Sequence, residues 1–285
     1  MHFMAAVLER VGAPLVVRQV TAEELKPSDV LVRNKASGLC HTDLEIIQGQ
    51  LSWPLPVILG HEGAGIVEAV GQDVTLVRPG DHVVCSWNPT CGHCFYCDRG
   101  QPILCELHNL HNGQGALLDG RSRLALDGQR LNHFSAVSSH AECSIVHESS
   151  AVAVPKAIPF DRACLIGCGV MTGVGGASRM ARIAAGASVA VIGCGAVGLN
   201  AVQGAMLERA EAVIAIDPDA RRLEIARTFG ATHTIDARAN DLVAQVKELT
   251  AGRGADYVLE CAGNEKALQT TFEVARPGAE IVILG

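Results

Sequence analysis

The feature that most constrains this chain is a run of four closely spaced cysteines in the segment CGHCFYCDRGQPILC. Two residues separate each of the first three cysteines, and seven separate the third from the fourth. Four thiolates at this spacing can surround one tetrahedral Zn²⁺ ion and leave no coordination position for a substrate. Buried or disulfide-bonded cysteines and an iron–sulfur cluster are the alternatives. The pattern predicts a structural zinc with the ligands Cys91, Cys94, Cys97 and Cys105.

Composition limits the class of protein. With 285 residues the chain is long enough for two domains, and 48% hydrophobic with 19% charged residues is typical of a compact α/β protein. The net charge of −7 argues against nucleic acid or an anionic membrane as partner. No secretory signal or membrane-length apolar run is recognisable. The eleven cysteines therefore indicate a reducing compartment, and we expect a cytoplasmic protein.

The two halves of the chain differ in their sequence patterns. Up to about residue 150, short valine-rich segments between glycines and prolines predict a mostly β domain, and residues 86–135 predict an irregular lobe held by the zinc. From about residue 185, alternating strand and helix patterns predict a parallel sheet with right-handed crossovers. The expected strands of that sheet are Ser188–Ile192, Ala212–Asp217, His233–Ile235, Tyr257–Glu260 and Glu280–Leu284.

A glycine-rich turn follows the first of these strands and opens a predicted helix. This context predicts a dinucleotide whose pyrophosphate lies at the helix N-terminus, although a strand-to-helix turn without a nucleotide is the alternative. Asp217 ends the next strand, where a carboxylate accepts hydrogen bonds from ribose hydroxyls and repels a 2′-phosphate, so NAD is favoured over NADP. Arg222 would lie against that ribose or partly accommodate a phosphate. The candidate residues of the turn are Gly193, Gly195, Val197 and Gly198.

A second metal site can be assembled from Cys40, His61 and Cys168, each in a glycine-bearing segment. Three protein ligands leave the fourth position of zinc open, as in catalytic sites. Spacing alone does not select these three, because other candidates stand in the same part of the chain, namely His41, His82 and Cys164.

The chain resembles the zinc-dependent medium-chain alcohol dehydrogenases. The resemblance rests on the run GHEGAG around His61 with Gly71 beyond it, the run CHTD from Cys40, the four-cysteine segment, the run GCGV around Cys168, and the nucleotide fingerprint. It covers essentially the whole chain. It implies a GroES-like zinc-binding catalytic domain over residues 1–168 beside a Rossmann NAD-binding domain over residues 169–285, with the active site in the cleft between them.

The resemblance also implies roles for single residues. Cys40, His61 and Cys168 become the ligands of a catalytic zinc, in addition to the structural one. Thr42 would touch the substrate oxygen and Asp43 would orient the histidine ligand, while Glu62 becomes a carboxylate near the metal. Thr172 falls where the family contacts the nicotinamide. Glu45 stands where a relay histidine is common, so the last step of proton transfer is open between this carboxylate and water.

The expected substrate is a primary aliphatic or aromatic alcohol, or the aldehyde in reverse, with NAD. Trp87 and Leu51, with Trp53 nearby, match positions that line the substrate pocket, although the tryptophans could also be packing residues. The alternative is an S-(hydroxymethyl)glutathione dehydrogenase. The loop QGQLSWPLPVILGH lacks the acidic residues of that branch, whereas the tract LDGRSRLALDGQRLNHF resembles it.

Two alternatives of other classes are an inactive zinc- or nucleotide-binding fragment and a zinc-free quinone or enoyl reductase of the same fold. The last predicted strand, Glu280–Leu284, is the fifth of a sheet that has six strands in a complete Rossmann fold. The resemblance implies a further C-terminal segment and a homo-oligomer of the full-length form. We therefore expect a C-terminally truncated chain with an incomplete nucleotide domain and little activity by itself.

Overall fold

The computed structural model describes residues 1–285, which divide into two compact units, Met1–Cys168 and Gly169–Gly285. The first unit is built on a closed barrel and an antiparallel sheet, and the second on a parallel sheet flanked by helices. The prediction of a mostly β domain joined to a doubly wound parallel α/β domain is confirmed. All the helices lack the length or the apolar character that crossing a bilayer requires.

Ten short strands form the first unit. One set closes into a barrel in the order β1-β2-β7-β8-β4, and the other forms a sheet in the order β10-β6-β5-β3-β9. Apolar side chains fill the barrel because they alternate along its strands. The strands are β1 (His2–Leu8), β2 (Val16–Ala22), β3 (Asp29–Ser37), β4 (Val57–Ile58), β5 (Gly63–Val70), β6 (His82–Cys85), β7 (Leu124–Leu126), β8 (Gln129–His133), β9 (Cys143–His147) and β10 (Ala151–Ala153).

The expectation of an irregular lobe over all of residues 86–135 is wrong for its last part. Residues there form the β7–β8 hairpin, which completes the barrel. Asp127 and Gly128 make its two-residue turn with φ of 50° and 79°, a backbone that a mirror-image hairpin turn requires. An Asp-Gly pair between leucine-bearing segments is a strong hairpin signal, so this hairpin was predictable from the sequence.

Residues 91–104 of the lobe have no core of their own, since none of them is buried. The single turns of 3₁₀ helix at Cys97–Arg99 and Pro102–Leu104 bury no side chain. A segment of this kind gains little from apolar burial and therefore needs another source of folding free energy. The α-helices of the first unit are short and lie at α1 (His41–Gln48), α2 (Glu106–His111) and α3 (Phe160–Ala163).

The second unit carries five parallel strands in the order β13-β12-β11-β14-β15. The chain leaves β11 for one side and later returns to its other side at β14, which creates a topological switch point at the carboxyl ends of these strands. The elements are α4 (Gly169–Gly175), β11 (Ser188–Ile192), α5 (Ala196–Leu207), β12 (Ala212–Asp217), α6 (Ala220–Thr228), β13 (His233–Asp236), α7 (Leu242–Leu249), β14 (Ala255–Glu260), α8 (Glu265–Val274) and β15 (Ala275–Ile283).

Most predicted strand limits in this sheet hold, but β15 begins at Ala275 instead of Glu280. The Pro277-Gly278 pair interrupts the apolar pattern, which hid the first half of the strand in the sequence. The register between β14 and β15 shifts near this point and Gly278 has a φ of 75°, so the strand continues through an irregular step. Both faces of the sheet are covered by apolar clusters, which explains the continuous apolar runs in its strands.

Candidate metal sites and dinucleotide pocket

The four closely spaced cysteines converge on one point. Their sulfur atoms all lie within 4.8 Å of one another, and none of the chain's cysteines forms a disulfide. Sulfur atoms around one tetrahedral zinc are separated by about 3.8 Å, because each Zn–S bond is about 2.3 Å. The donor set and its span fit a single ion, and the ligands would be Cys91, Cys94, Cys97 and Cys105.

Backbone amides in the lobe already favour a thiolate at one of these positions. Hydrogen bonds from the N–H groups of Cys97 and Glu106 lower the pKa of Cys94 to about 6. The amide of Cys91 likewise donates to the sulfur of Cys105, at 3.3 Å. Zinc binds the thiolate form, so N–H groups directed at sulfur prepare the lobe for the metal.

The second predicted ligand set also converges, from three separate segments. Cys40 caps the N-terminus of α1, His61 lies between β4 and β5, and Cys168 ends the first unit. Their ligand atoms lie within 4.8 Å of one another, together with a carboxylate oxygen of Glu62. The other residues that the sequence left open stand outside this cluster, namely His41, His82 and Cys164. Three soft or borderline donors with a carboxylate beside them fit a zinc site with an open position.

Asp43 joins two of the ligand-bearing segments. One of its carboxylate oxygens accepts a hydrogen bond from the amide of Cys40 at 3.1 Å, and the other accepts one from the amide of Gly60 at 2.9 Å. The same carboxylate lies 3.8 Å from Nδ1 of His61, which is buried and has no hydrogen-bond partner. Since Nδ1 is directed toward Asp43, Nε2 is the nitrogen available to a metal.

The ionisable groups of this site shift one another's pKa values. A hydrogen bond from Cys168 lowers the pKa of Cys40 to about 3, while the pKa of Cys168 itself is raised by the same contact. Burial would lower the pKa of His61, but the nearby carboxylate of Asp43 and the sulfur of Cys40 outweigh it and raise that pKa to about 9. The site therefore holds negative charge that attracts either a proton or a cation, which a zinc ion would satisfy.

The side chain of Glu62 fits beside the ligand cluster only because residue 38 is a glycine. A β-carbon on Gly38 would lie 1.8 Å from Oε2 of Glu62, so any larger residue at position 38 would displace the carboxylate. Burial raises the pKa of Glu62. The carboxylate is thus held beside the thiols in an environment that weakens its charge.

The predicted substrate-side residues fall into two groups. Thr42 lies near the metal cluster, with its hydroxyl 3.5 Å from the sulfur of Cys40, and Glu45 is half-buried one turn further along α1. Trp87 instead packs against a cluster of valines, and its indole N–H is buried without a partner. Leu51 is 42% exposed. The contacts of Trp87 favour the packing interpretation for that residue.

Phe134 is a neighbour of the metal cluster that the sequence analysis missed. Its ring meets the rings of His61 and Trp53 edge to face, with centroids 5.5 Å and 4.8 Å away. Trp53 is fixed because its indole N–H donates to the carbonyl of His133 at 2.9 Å. Phe134 is fully buried in a core cluster, so these aromatic contacts hold the ring of the candidate zinc ligand in place.

The glycine fingerprint of the second unit opens onto a cavity of about 320 Å³ at the carboxyl ends of the strands. Gly193 has a φ of 92°, and a β-carbon on Gly198 would lie 1.7 Å from the carbonyl oxygen of Gly193. Gly195, the N-cap of α5, has no atom within 4 Å of where its β-carbon would stand. Two glycines thus close the turn and the third leaves open space before a helix N-terminus, which fits a pyrophosphate.

Asp217 lines this cavity and is almost fully buried. Its two oxygens accept hydrogen bonds from the amides of Cys194 and Asp219, both at 2.8 Å, and Arg222 lies 3.7 Å away. The cavity also has two cationic residues that the sequence analysis missed, Arg238 and Lys266. Arg238 follows β13 in a loop, and Lys266 stands in the first turn of α8; neither belongs to a recognisable motif. Val197 lies on α5 and Thr172 on α4, and neither lines the cavity.

Comparison with known proteins agrees with this geometry. Two family models match the chain, Alcohol dehydrogenase GroES-like domain over residues 26–156 and Zinc-binding dehydrogenase over residues 196–285. The S-(hydroxymethyl)glutathione dehydrogenase of Saccharomyces cerevisiae is 38% identical over 290 residues, which cover 99% of this chain and 75% of the relative.

Solved structures are also similar to this chain over its whole length. Benzyl alcohol dehydrogenase from Acinetobacter calcoaceticus superimposes with a TM-score of 0.93 at 35% identity and covers all of this chain and 77% of that one. A putative zinc-binding dehydrogenase from Sinorhizobium meliloti bound to NADP gives a TM-score of 0.82 at 30% identity, with 100% and 77% covered. The chain belongs to the zinc-dependent medium-chain alcohol dehydrogenase family. Membership confirms the prediction of zinc and a nicotinamide dinucleotide as its expected cofactors.

Proposed function

We propose that this chain carries the machinery for reversible hydride transfer between a primary alcohol and NAD. The observation that carries the proposal is the convergence of Cys40, His61 and Cys168, whose ligand atoms lie within 4.8 Å of one another and of a carboxylate oxygen of Glu62. When bound, zinc lowers the pKa of an alcohol and polarises a carbonyl, and the dinucleotide accepts or gives the hydride.

The chain's own residues position these groups and move the proton. The hydroxyl of Thr42, at the start of α1, accepts the proton of the alcohol and orients the oxygen. Asp43 holds the segments of Cys40 and His61 together through its two backbone hydrogen bonds. Glu62 supplies a second carboxylate at the ligand cluster. From Thr42 the proton passes to water, or to Glu45 on the same helix.

The dinucleotide lies across the glycine turn, and Asp217 accepts hydrogen bonds from the adenosine ribose. Each oxygen of a carboxylate has a lone pair left after accepting one amide, so the two bonds from Cys194 and Asp219 do not prevent this. The negative charge disfavours a 2′-phosphate. Arg222, 3.7 Å from the carboxylate, flanks the same ribose.

The similarity to a benzyl alcohol dehydrogenase supports an apolar substrate such as an aliphatic or aromatic alcohol. A second candidate is an S-(hydroxymethyl)glutathione dehydrogenase, which the curated relatives favour at 38% identity. The loop from Gln48 to His61 carries no acidic residue that would bind the amino group of glutathione.

One kinetic comparison separates the two candidates. The value of kcat/KM with NAD is measured for benzyl alcohol and for the adduct of glutathione and formaldehyde, each at several concentrations. The proposal expects benzyl alcohol to be preferred by at least about tenfold, a difference of about 1.4 kcal/mol. A preference for the adduct would instead establish the second candidate. Turnover that persists after complete removal of zinc would contradict the proposed chemistry altogether.

A further inference from the structure

His140 lies behind the candidate catalytic zinc ligands without being one of them. Its Nε2 is 3.3 Å from the carbonyl oxygen of Gly38, and a carbonyl only accepts, so Nε2 carries the proton and donates. The same ring packs directly on Gly60: a β-carbon there would lie 2.5 Å from Cδ2 of His140. Gly38 stands two residues before Cys40, and Gly60 directly precedes His61. One imidazole therefore touches the backbone of both ligand-bearing segments.

The backbone around His140 is tied to the same place. Its amide donates to the carbonyl of Leu59 at 3.0 Å, and the amide of Ser139 donates to the carbonyl of Gly60 at 2.9 Å. The segment that carries the ring is therefore fixed relative to His61. The bond from the ring to Gly38 extends this fixed frame to the segment of Cys40, where the amide of Gly38 also donates to the carbonyl of Glu62 at 2.9 Å.

Burial of the His140 ring in this position is partly unfavourable in free energy. Its Nδ1 is buried and has no hydrogen-bond partner. A buried polar atom left unpaired destabilises the fold by about 1–3 kcal/mol. Packing alone would be served as well by an apolar ring, so the polar edge that faces Gly38 has to account for the histidine.

We propose that His140 is a positioning residue for the catalytic zinc, which it serves by holding the Cys40 and His61 segments at a fixed separation. The inference rests on the proposed function, because it requires zinc at that cluster. Asp43 also ties the same two segments, through the amides of Cys40 and Gly60. Each tie restricts the ligands further, and groups that orient metal ligands commonly change affinity by about 10–100-fold when removed.

The test is the rate at which a chromogenic chelator removes zinc from the full chain. His140→Phe keeps the ring but removes the donor, and His140→Gln keeps an N–H at a similar position. His82→Phe is the matched control, since His82 also has a buried, unpartnered Nδ1 but lies outside the ligand cluster. We expect the zinc of the Cys40 site to leave at least about tenfold faster in His140→Phe. The rates of His140→Gln and His82→Phe, and the release of the four-cysteine zinc in every variant, should stay near the wild-type rates.

Equal release from wild type and His140→Phe would overturn the inference. So would equally fast release from His140→Phe and His140→Gln, because the donor would then be irrelevant. If His140→Phe does not fold, visible spectra of the cobalt-substituted His140→Gln and wild-type proteins take the place of the chelator experiment. Matching spectra at the Cys40 site support the inference. A changed metal geometry in His140→Gln, which keeps the donor, contradicts it. A wild-type protein that binds zinc only at the four cysteines would refute the proposed function, an outcome distinct from failure of the role of His140.

Discussion

The two cysteine-based clusters of this chain reach similar geometry by opposite routes. Cys91 and Cys105 bracket a lobe whose ligands stand within one short segment and whose turns bury no side chain. Cys40 and Cys168 belong to segments far apart in sequence, which the barrel and its neighbouring sheet bring together. A short coreless segment needs its metal in order to fold, whereas a site assembled by a core exists before its metal. The first cluster should therefore govern stability and the second chemistry.

The largest expected effect comes from the cluster that the fold assembles. Cys40→Ser removes one ligand from the open site, and a catalytic metal supplies several kcal/mol to the transition state. We expect kcat/KM for a primary alcohol to fall by about a thousandfold or more, since each 1.4 kcal/mol corresponds to a factor of ten. The melting temperature should change little. Steady-state kinetics and thermal melting on one preparation measure both quantities, and a large loss of melting temperature would blur the contrast between the clusters.

Cys97→Ser tests the other cluster and should give the reverse pattern. The lobe loses its metal and, with it, the free energy that replaces a core. We expect rapid proteolysis within residues 91–114 and a lower melting temperature, while the turnover of the remaining folded molecules falls much less than in Cys40→Ser. Limited proteolysis followed by mass spectrometry locates the cuts. An intact, protease-resistant lobe without its zinc would show that some other contact holds this segment.

The contrast between the clusters also explains which parts of the site the sequence revealed. Ligands within one segment are visible as a spacing, and Gly193 to Gly198 are visible because strand, turn and helix follow directly. Cys40, His61 and Cys168 needed a family resemblance, because tertiary packing alone makes them neighbours. Phe134 and His140 were missed for the same reason: nothing local distinguishes a residue that packs on a distant loop.

The preference between NAD and NADP tests the cavity of the second unit, where no metal is involved. Asp217→Gly removes a negative charge that lines the candidate dinucleotide cavity and leaves Arg222 nearby. We expect the ratio of kcat/KM for NAD over NADP to fall by about 10–100-fold, the equivalent of one or two lost interactions with a charged group. Asp219→Asn, at a carboxylate outside the cavity lining, is the matched control. An unchanged ratio in Asp217→Gly would remove this residue from the cofactor site.

The smallest expected effect is on the stability of the first unit, which carries the Cys40 site. His133 is fully buried in the barrel, and burial lowers its pKa to about 3, whereas the unfolded chain has an ordinary value near 6.5. The unfolded state therefore binds the extra proton, and stability is lost as the pH falls from about 6.5 toward 3. The slope from one such group is at most about 1.4 kcal/mol per pH unit.

His133→Gln isolates this contribution, because it removes the titrating ring and keeps a neutral acceptor for the amide of Arg123. The free energy of unfolding, measured by denaturant between pH 6.5 and 5, should depend less on pH in the variant than in wild type. Parallel curves for the two proteins would mean that His133 is not neutral in the folded state.

On the proposed function, one zinc serves the fold and another serves the chemistry. Zinc content per folded chain tests it most directly, by elemental analysis of wild type, Cys40→Ser and Cys97→Ser purified without chelator. The account predicts two zinc ions in wild type and one in each variant, with turnover lost when the Cys40 site is empty and the lobe opened when the four-cysteine site is empty. A wild type with one zinc or none, or a Cys40→Ser protein that still holds two, would contradict it.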